Sequence, residues 1–243
     1  MLFILRKIRR KLMQKNKFTT YLLYAIGEIV LVVIGILIAV SINNANQPQI
    51  NKEKEQVFLS RLKEEAEWNI AVLDKQIASY RSRSETLDSV AYMLTQDLSI
   101  PKGTKITAAP YFISAWQLRK SAYTELVSSG SLSILSDLKL REILDETASF
   151  QTITVQTLEY WRGMSIEDAS VFRPYRIEKD SNDGTTGMTL DFEAMKGDKE
   201  VIGGFLFWGS ANLQFANGME EFKQNYHRIT ERIECLENQT CND

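Results

Sequence analysis

AEWNIAVLDKQIASYRSRSETLDSVAYMLTQDL, residues 66–98, carries apolar side chains at alternating spacings of four and three. The stripe runs Ala66, Ile70, Leu73, Ile77, Tyr80, Ser84, Leu87, Ala91, Leu94 and Leu98, and only Ser84 interrupts it. Charges such as Lys75, Arg81 and Asp88 fall off the stripe. A sustained 3.5-residue repeat predicts a long helix with one seam that must be buried against other helices. Ile100-Pro101-Lys102-Gly103 supplies its stop.

The same reading, carried toward the C-terminus, predicts more helices. Phe215, Met219, Phe222, Tyr226, Ile229, Ile233 and Leu236 repeat four and three without a miss. A helical stretch is expected from about Tyr111 to Ser128, with Ile113, Trp116, Leu118 and Tyr123, and Gly130 ends it. Ser136-Asp137 can cap a further helix with a stripe of Leu138, Leu144, Ala148, Val155 and Leu158. KDSNDGTTG, residues 179–187, reads as an exposed polar loop. No segment alternates with period two between hairpin signals, so little or no sheet is expected. The predicted class is all-α: an antiparallel helical bundle with coiled-coil-like long helices.

Toward the N-terminus the composition changes. From Tyr21 to Ile42, 22 residues include fourteen Leu, Ile or Val and one charge, Glu28. As a helix they extend about 33 Å, close to the ~30 Å thickness of a bilayer core. Those apolar residues favour insertion by about 4–8 kcal/mol as an upper bound, against about 2.5–3.5 for one central acid. The run is expected to span despite Glu28. A cleaved signal peptide, with Ala39-Val40-Ser41 as the cut, is the alternative, but the apolar core is longer than such signals use.

Charge sets the expected orientation. The chain has 29 basic and 31 acidic residues; residues 1–17 hold seven of the bases and no acid, and 18–42 hold only Glu28. Residues 43–243 therefore keep 22 bases and 30 acids, a net charge of −8. A basic head predicts a cytoplasmic N-terminus and an outer, periplasmic body anchored in the bacterial inner membrane. The head's Leu5, Ile8 and Leu12 share a helical face, which suits an interfacial helix or serves only as a topology signal. The acidic body argues against nucleic acid as a partner. The expected division is 1–20 basic head, 21–42 transmembrane helix, 43–56 juxtamembrane linker with a break at Pro48, 57–238 helical bundle and 239–243 tail.

LRKIRRKLMQKNKFTTYLLYAIGEIVLVVIGILIAVSINN, residues 5–44, resembles the head and span of a large flavobacterial (Bacteroidota) group of uncharacterised single-pass membrane proteins. SAYTELVSSGSLSILSDLKLREIL, residues 121–144, is similar to that group's aromatic–serine–glycine helical hairpin. The chain departs from the group after the span, where Asn44 precedes Ala45 in place of a tryptophan. The resemblance implies topology and architecture and brings no activity.

Chemistry-bearing motifs are sparse. No G-x-S-x-G, phosphate-binding loop or H-E-x-x-H occurs, and His227 has no catalytic company in sequence. No cofactor or metal is expected. Glu64, Glu65 and Glu67 read best as a solvated helix face, and Phe205-Leu206-Phe207-Trp208 as bundle core, with a ligand pocket or membrane contact as its alternative. Cys235 and Cys241 are expected to bridge, tying the tail to the last helix.

Glu28 can snorkel toward water or be protonated; or, with Gly35 two turns on and Ala39 beyond, it can form a polar and small-residue face for helix association. The expected function is a membrane-anchored interaction, scaffold or sensing module, associating with itself or another membrane protein. The rival is an envelope enzyme whose carboxylates are assembled by folding.

Overall fold

The structure is a computed structural model that describes residues 18–101, 111, 113, 117–180 and 186–241. The basic head through residue 17, Trp116, the middle of the 179–187 segment and the last two residues lie outside the described residues. The described residues form an all-α protein with one short hairpin: α1 Phe18–Thr95, α2 Ser121–Ser128, α3 Leu138–Asp168, β1 Arg176–Asp180, β2 Thr186–Leu190 and α4 Lys199–Asn238. Short 3₁₀ turns at Leu132–Ile134 and Ala169–Tyr175 lead into and out of α3.

Two units divide the chain, Met1–Gln56 and Val57–Asp243. In the first, α1 contains an 18-residue window of mean hydropathy 2.8, none of it buried. By length and composition it can cross a membrane. The break expected at Pro48 is absent, and residues 43–56 are helical. Proline removes one backbone donor and strains one turn. Gln47 Nε2 donates to Asn51 Oδ1 and Gln49 Nε2 to Glu53 Oε1, both at 2.9 Å, so side-chain bonds bracket that turn. Long helical flanks make continuing cheaper than stopping and nucleating again.

In the second unit, the seam of α1 is buried from Ala66 to Leu94, with Ile70 half-buried. Leu98 lies beyond the helix end and is exposed. Contacts with α4 run in opposite order along the two helices: Lys63 with Glu234, Asp74 with Lys223, Arg81 with Glu220, at 3.0, 2.9 and 3.4 Å. The order along α3 and α4 is likewise opposed, from Asp137–Arg232 through Phe150–Phe222 and Trp161–Phe215 to Asp168–Trp208. α4 is therefore antiparallel to both, and its stripe Met219, Phe222, Tyr226, Ile229 and Ile233 is buried between them. The exposed ion pairs between helices are worth about 0–1 kcal/mol each, so apolar burial holds the bundle.

Three expectations need correction. Among the described residues the helix expected from Tyr111 begins only at Ser121, because Asn69 holds Arg119 in a non-helical conformation just ahead of it. Asn69 Nδ2 donates to Arg119 O at 2.9 Å and Asn69 Oδ1 accepts from Arg119 N at 2.8 Å. Segment 176–190 forms an antiparallel hairpin pairing Arg176 with Leu190 and Asp180 with Thr186, so both ends of the expected loop are strand. The inward face of α3 is Leu140, Ile143, Leu144, Thr147 and Gln151, whereas Leu138 and Val155 are exposed. Polar Thr147 and Gln151 occupy core positions there, which apolar counting does not find.

Asp137 shows how one side chain serves two elements. It caps α3, accepting from Leu140 N at 2.6 Å, and receives Arg232 Nε and Nη2 at 3.0 and 2.6 Å. The Arg232 hydrogen bonds hold its carboxyl below the usual range. A depressed carboxyl stabilises the fold above its unfolded value, near 4, and loses that contribution as pH falls through its folded value. Asp137→Asn keeps the cap and removes the ion pair. We expect a loss of about 1–2 kcal/mol at pH 7 that shrinks as pH falls through the folded value, read by thermal melts across pH. A pH-independent difference would refute this account.

Candidate functional site: grooves beside α3

α3 buries nothing between Gln151 and Ser165. Thr154, Leu158 and Trp161 in that stretch are half-buried, and Leu158 and Trp161 pack against the core without being covered. Two open grooves flank this stretch, and Thr154 and Leu158 line both. The first lies between α3 and α4, with a cavity of about 310 Å³ lined by Phe150, Ile153 and Trp161 on one side and Ala211, Phe215 and Gly218 on the other. The second, about 580 Å³, opens beyond α3 and is lined by Leu118, Lys120, Gln151, Val155 and Phe222 among others. Among the described residues, Lys120 is the one charged group in either lining; neither contains a carboxylate or His227.

Trp161 organises the first groove. Its ring centroid lies 5.5 Å from Phe215, 5.9 Å from Trp208 and Tyr160, and 6.1 Å from Phe207. The Phe205–Trp208 stretch is divided by the helix: Phe205 and Trp208 are fully buried, while Leu206 and Phe207 are half exposed. Trp208 Nε1 donates to Asp168 Oδ2 at 2.9 Å, and its ring stacks on Tyr111 at 5.6 Å. Burial, with the Asp168 charge nearby, pushes the Tyr111 hydroxyl far above its ordinary pKa. Two of the glycines that interrupt this apolar run, Gly204 and Gly209, permit close approach. A side chain at Gly204 would collide with Tyr111, and one at Gly209 with Asp88 of α1.

Glu28, Gly35 and Ala39 all lie on α1 within the Met1–Gln56 unit and are exposed, with open space where a Gly35 side chain would be. Glu65, expected on a solvated face, accepts from Ala122 N at 2.9 Å and from the Ser121 hydroxyl. It supplies the cap that Lys120, the residue at that helix start, lacks. His227 is half-buried on α4. Cys235 and Cys241 form a disulfide, with Cα atoms 5.0 Å apart, just where α4 ends at Gln239 in the left-handed region. Among the described residues no three His, Cys, Asp or Glu side chains gather as a metal site.

A family of unknown function, DUF6090, matches residues 28–156, just over half of the chain. The chain belongs to it. No curated protein and no solved structure matches. The DUF6090 match begins at Glu28, takes in the Glu65 and Asn69 contacts, α2 and the capped start of α3, and ends at Gln156 beside the grooves. α4, which forms the other wall of the first groove, lies beyond it.

Proposed function

We propose that this chain is a single-pass membrane protein of the bacterial inner membrane whose helical body, outside the cytoplasm, binds other proteins. The basic head and the exposed apolar window of α1 support the anchor and its orientation. The groove between α3 and α4 carries the binding role. Ile153, 61 % exposed, projects at a site flanked by aromatic rings, with Ala211 and Gly218 as its small-residue floor. From Phe150 to Trp161 the α3 wall is about 17 Å long, room for two to three turns of a helix, and such grooves take amphipathic helices through apolar anchors. A photo-cross-linking residue at Ile153, in the full chain in native membranes, should give a discrete protein adduct; the same residue at exposed Glu67 should not. Equal yields at the two positions would remove this role.

The span adds a second element of the same reading. Within the hydrocarbon the Glu28 carboxyl gains most from a hydrogen bond offered by a neighbouring helix, and Gly35 and Ala39 allow that helix to come close. Glu28→Leu or Gly35→Leu is expected to abolish association in a membrane two-hybrid assay. Should both variants associate normally, the span is an anchor only.

A further inference from the structure

We infer that the outward face of α4 from Gly203 to Asn217 is a pairing surface for the same face of a second copy of this chain. The inference deepens the interaction reading and rests on it, since it names the partner. VIGGFLFWGSANLQFANGM, residues 201–219, contains no charged residue and is bounded by Glu200 and Glu220. The core takes only one side of it, including Val201, Phe205, Trp208, Asn212, Ala216 and Met219. The other side is open to solvent, with Leu206 50 %, Leu213 47 % and Phe207 45 % exposed.

That open side is itself a heptad seam. Gly203, Ser210 and Asn217 recur every seven residues and are exposed, as are Leu206 and Leu213. Continued along α4 at the same spacing, the face becomes Glu220, Gln224, His227 and Glu231, the composition of a solvated surface. Gly203 and Ser210 leave room for the leucines of a facing helix. Asn217 brings one uncharged amide to the seam, and a single asparagine at such a position fixes register and strand number in paired helices. A surface that meets its own copy in this way closes a twofold pair.

Charge selects a second copy. Residues 43–243 carry a net charge of −8, so contact elsewhere between two copies tends to oppose acids, whereas this face has none to oppose. Area sets the strength. Leu206, Phe207 and Leu213 offer three large apolar side chains. At roughly half of ~200 Å² each they give on the order of 300 Å² per copy, well below the ~800 Å² of a standard interface. Such a contact is weak in solution and becomes effective between chains tethered in one membrane, where the effective concentration is high.

The test uses two differently tagged full-length copies in native membranes, with a photo-cross-linking residue at position 210 or at position 231. A covalent dimer carrying both tags is expected from position 210 at tenfold or greater excess over 231, falling at least tenfold in Leu213→Arg at unchanged far-UV circular dichroism. If Leu213→Arg loses helical signal, Asn217→Glu, at an exposed site, is read in its place. Adducts from position 210 with lipid or other proteins only, or a dimer yield that a folded variant leaves unchanged, would overturn the inference. Loss of the dimer at 210 with a protein adduct retained at Ile153 removes the second copy and leaves the interaction reading standing. Absence of protein adducts at both positions removes both.

Discussion

Trp208→Ala is expected to destabilise the Val57–Asp243 unit by about 3–5 kcal/mol, while Phe207→Ala next to it costs less than about 1 kcal/mol. Trp208 is fully buried, stacked on Tyr111 and set edge-on to Trp161 at 5.9 Å, with its Nε1 on Asp168. Truncation leaves a cavity lined by rings and takes a donor from Asp168. Phe207 turns outward, 45 % exposed, with ring contacts to Trp161 and Trp208 only at its margin. Urea unfolding of the detergent-solubilised full chain, followed by far-UV circular dichroism, compares the two variants directly. Equal losses would mean that the helix register here is wrong, because two adjacent residues cannot both face a core on one side of a helix.

Asn69→Leu is expected to cost about 2–4 kcal/mol although it keeps nearly the same volume and adds apolar surface. Asn69 is fully buried, and both ends of its amide are committed to the Arg119 backbone. Leucine leaves the Arg119 N–H and C=O without those partners, at about 1–3 kcal/mol for each group that water does not reach. The effect should also be local. Arg119 positions the start of α2, where Ala122 N meets Glu65, so amide exchange at Arg119 and Ala122 should accelerate more than exchange at the core of α4. Unaltered exchange at both amides would refute the clamp, whatever the change in overall stability.

The Asn69 clamp also marks how far the sequence could be read. Seams along 66–94 and 219–233 were legible because helical periodicity is local: each residue's face follows from its neighbours three and four positions away. The start of α2 was not legible, because Asn69 is 50 residues from Arg119 and no local pattern pairs them. α3 misled for a related reason. Its inward Thr147 and Gln151 are polar, so the strongest apolar stripe pointed to Leu138 and Val155, which face water. The grooves open further along the same helix, where Thr154 and Leu158 line both. Pro48 carried a local stop signal that the helices on both sides overrode. The uncharged run 201–219 was visible as an apolar patch broken by glycines, but only packing showed which half was core.

By itself, then, the sequence determined the class and a helix long and apolar enough to cross a membrane: an apolar run of that length behind a basic head, and long helices whose seams demand burial against one another. Those features depend on transfer free energies and on a 3.6-residue turn, which act within a few residues. Tertiary structure alone decided where α2 begins, which face of α3 turns inward, where the grooves open and how Phe205–Trp208 divides between core and solvent. Each of these depends on side chains that meet across tens to more than a hundred residues of chain, as Asp88 meets Gly209, and such meetings exist only once the helices have packed.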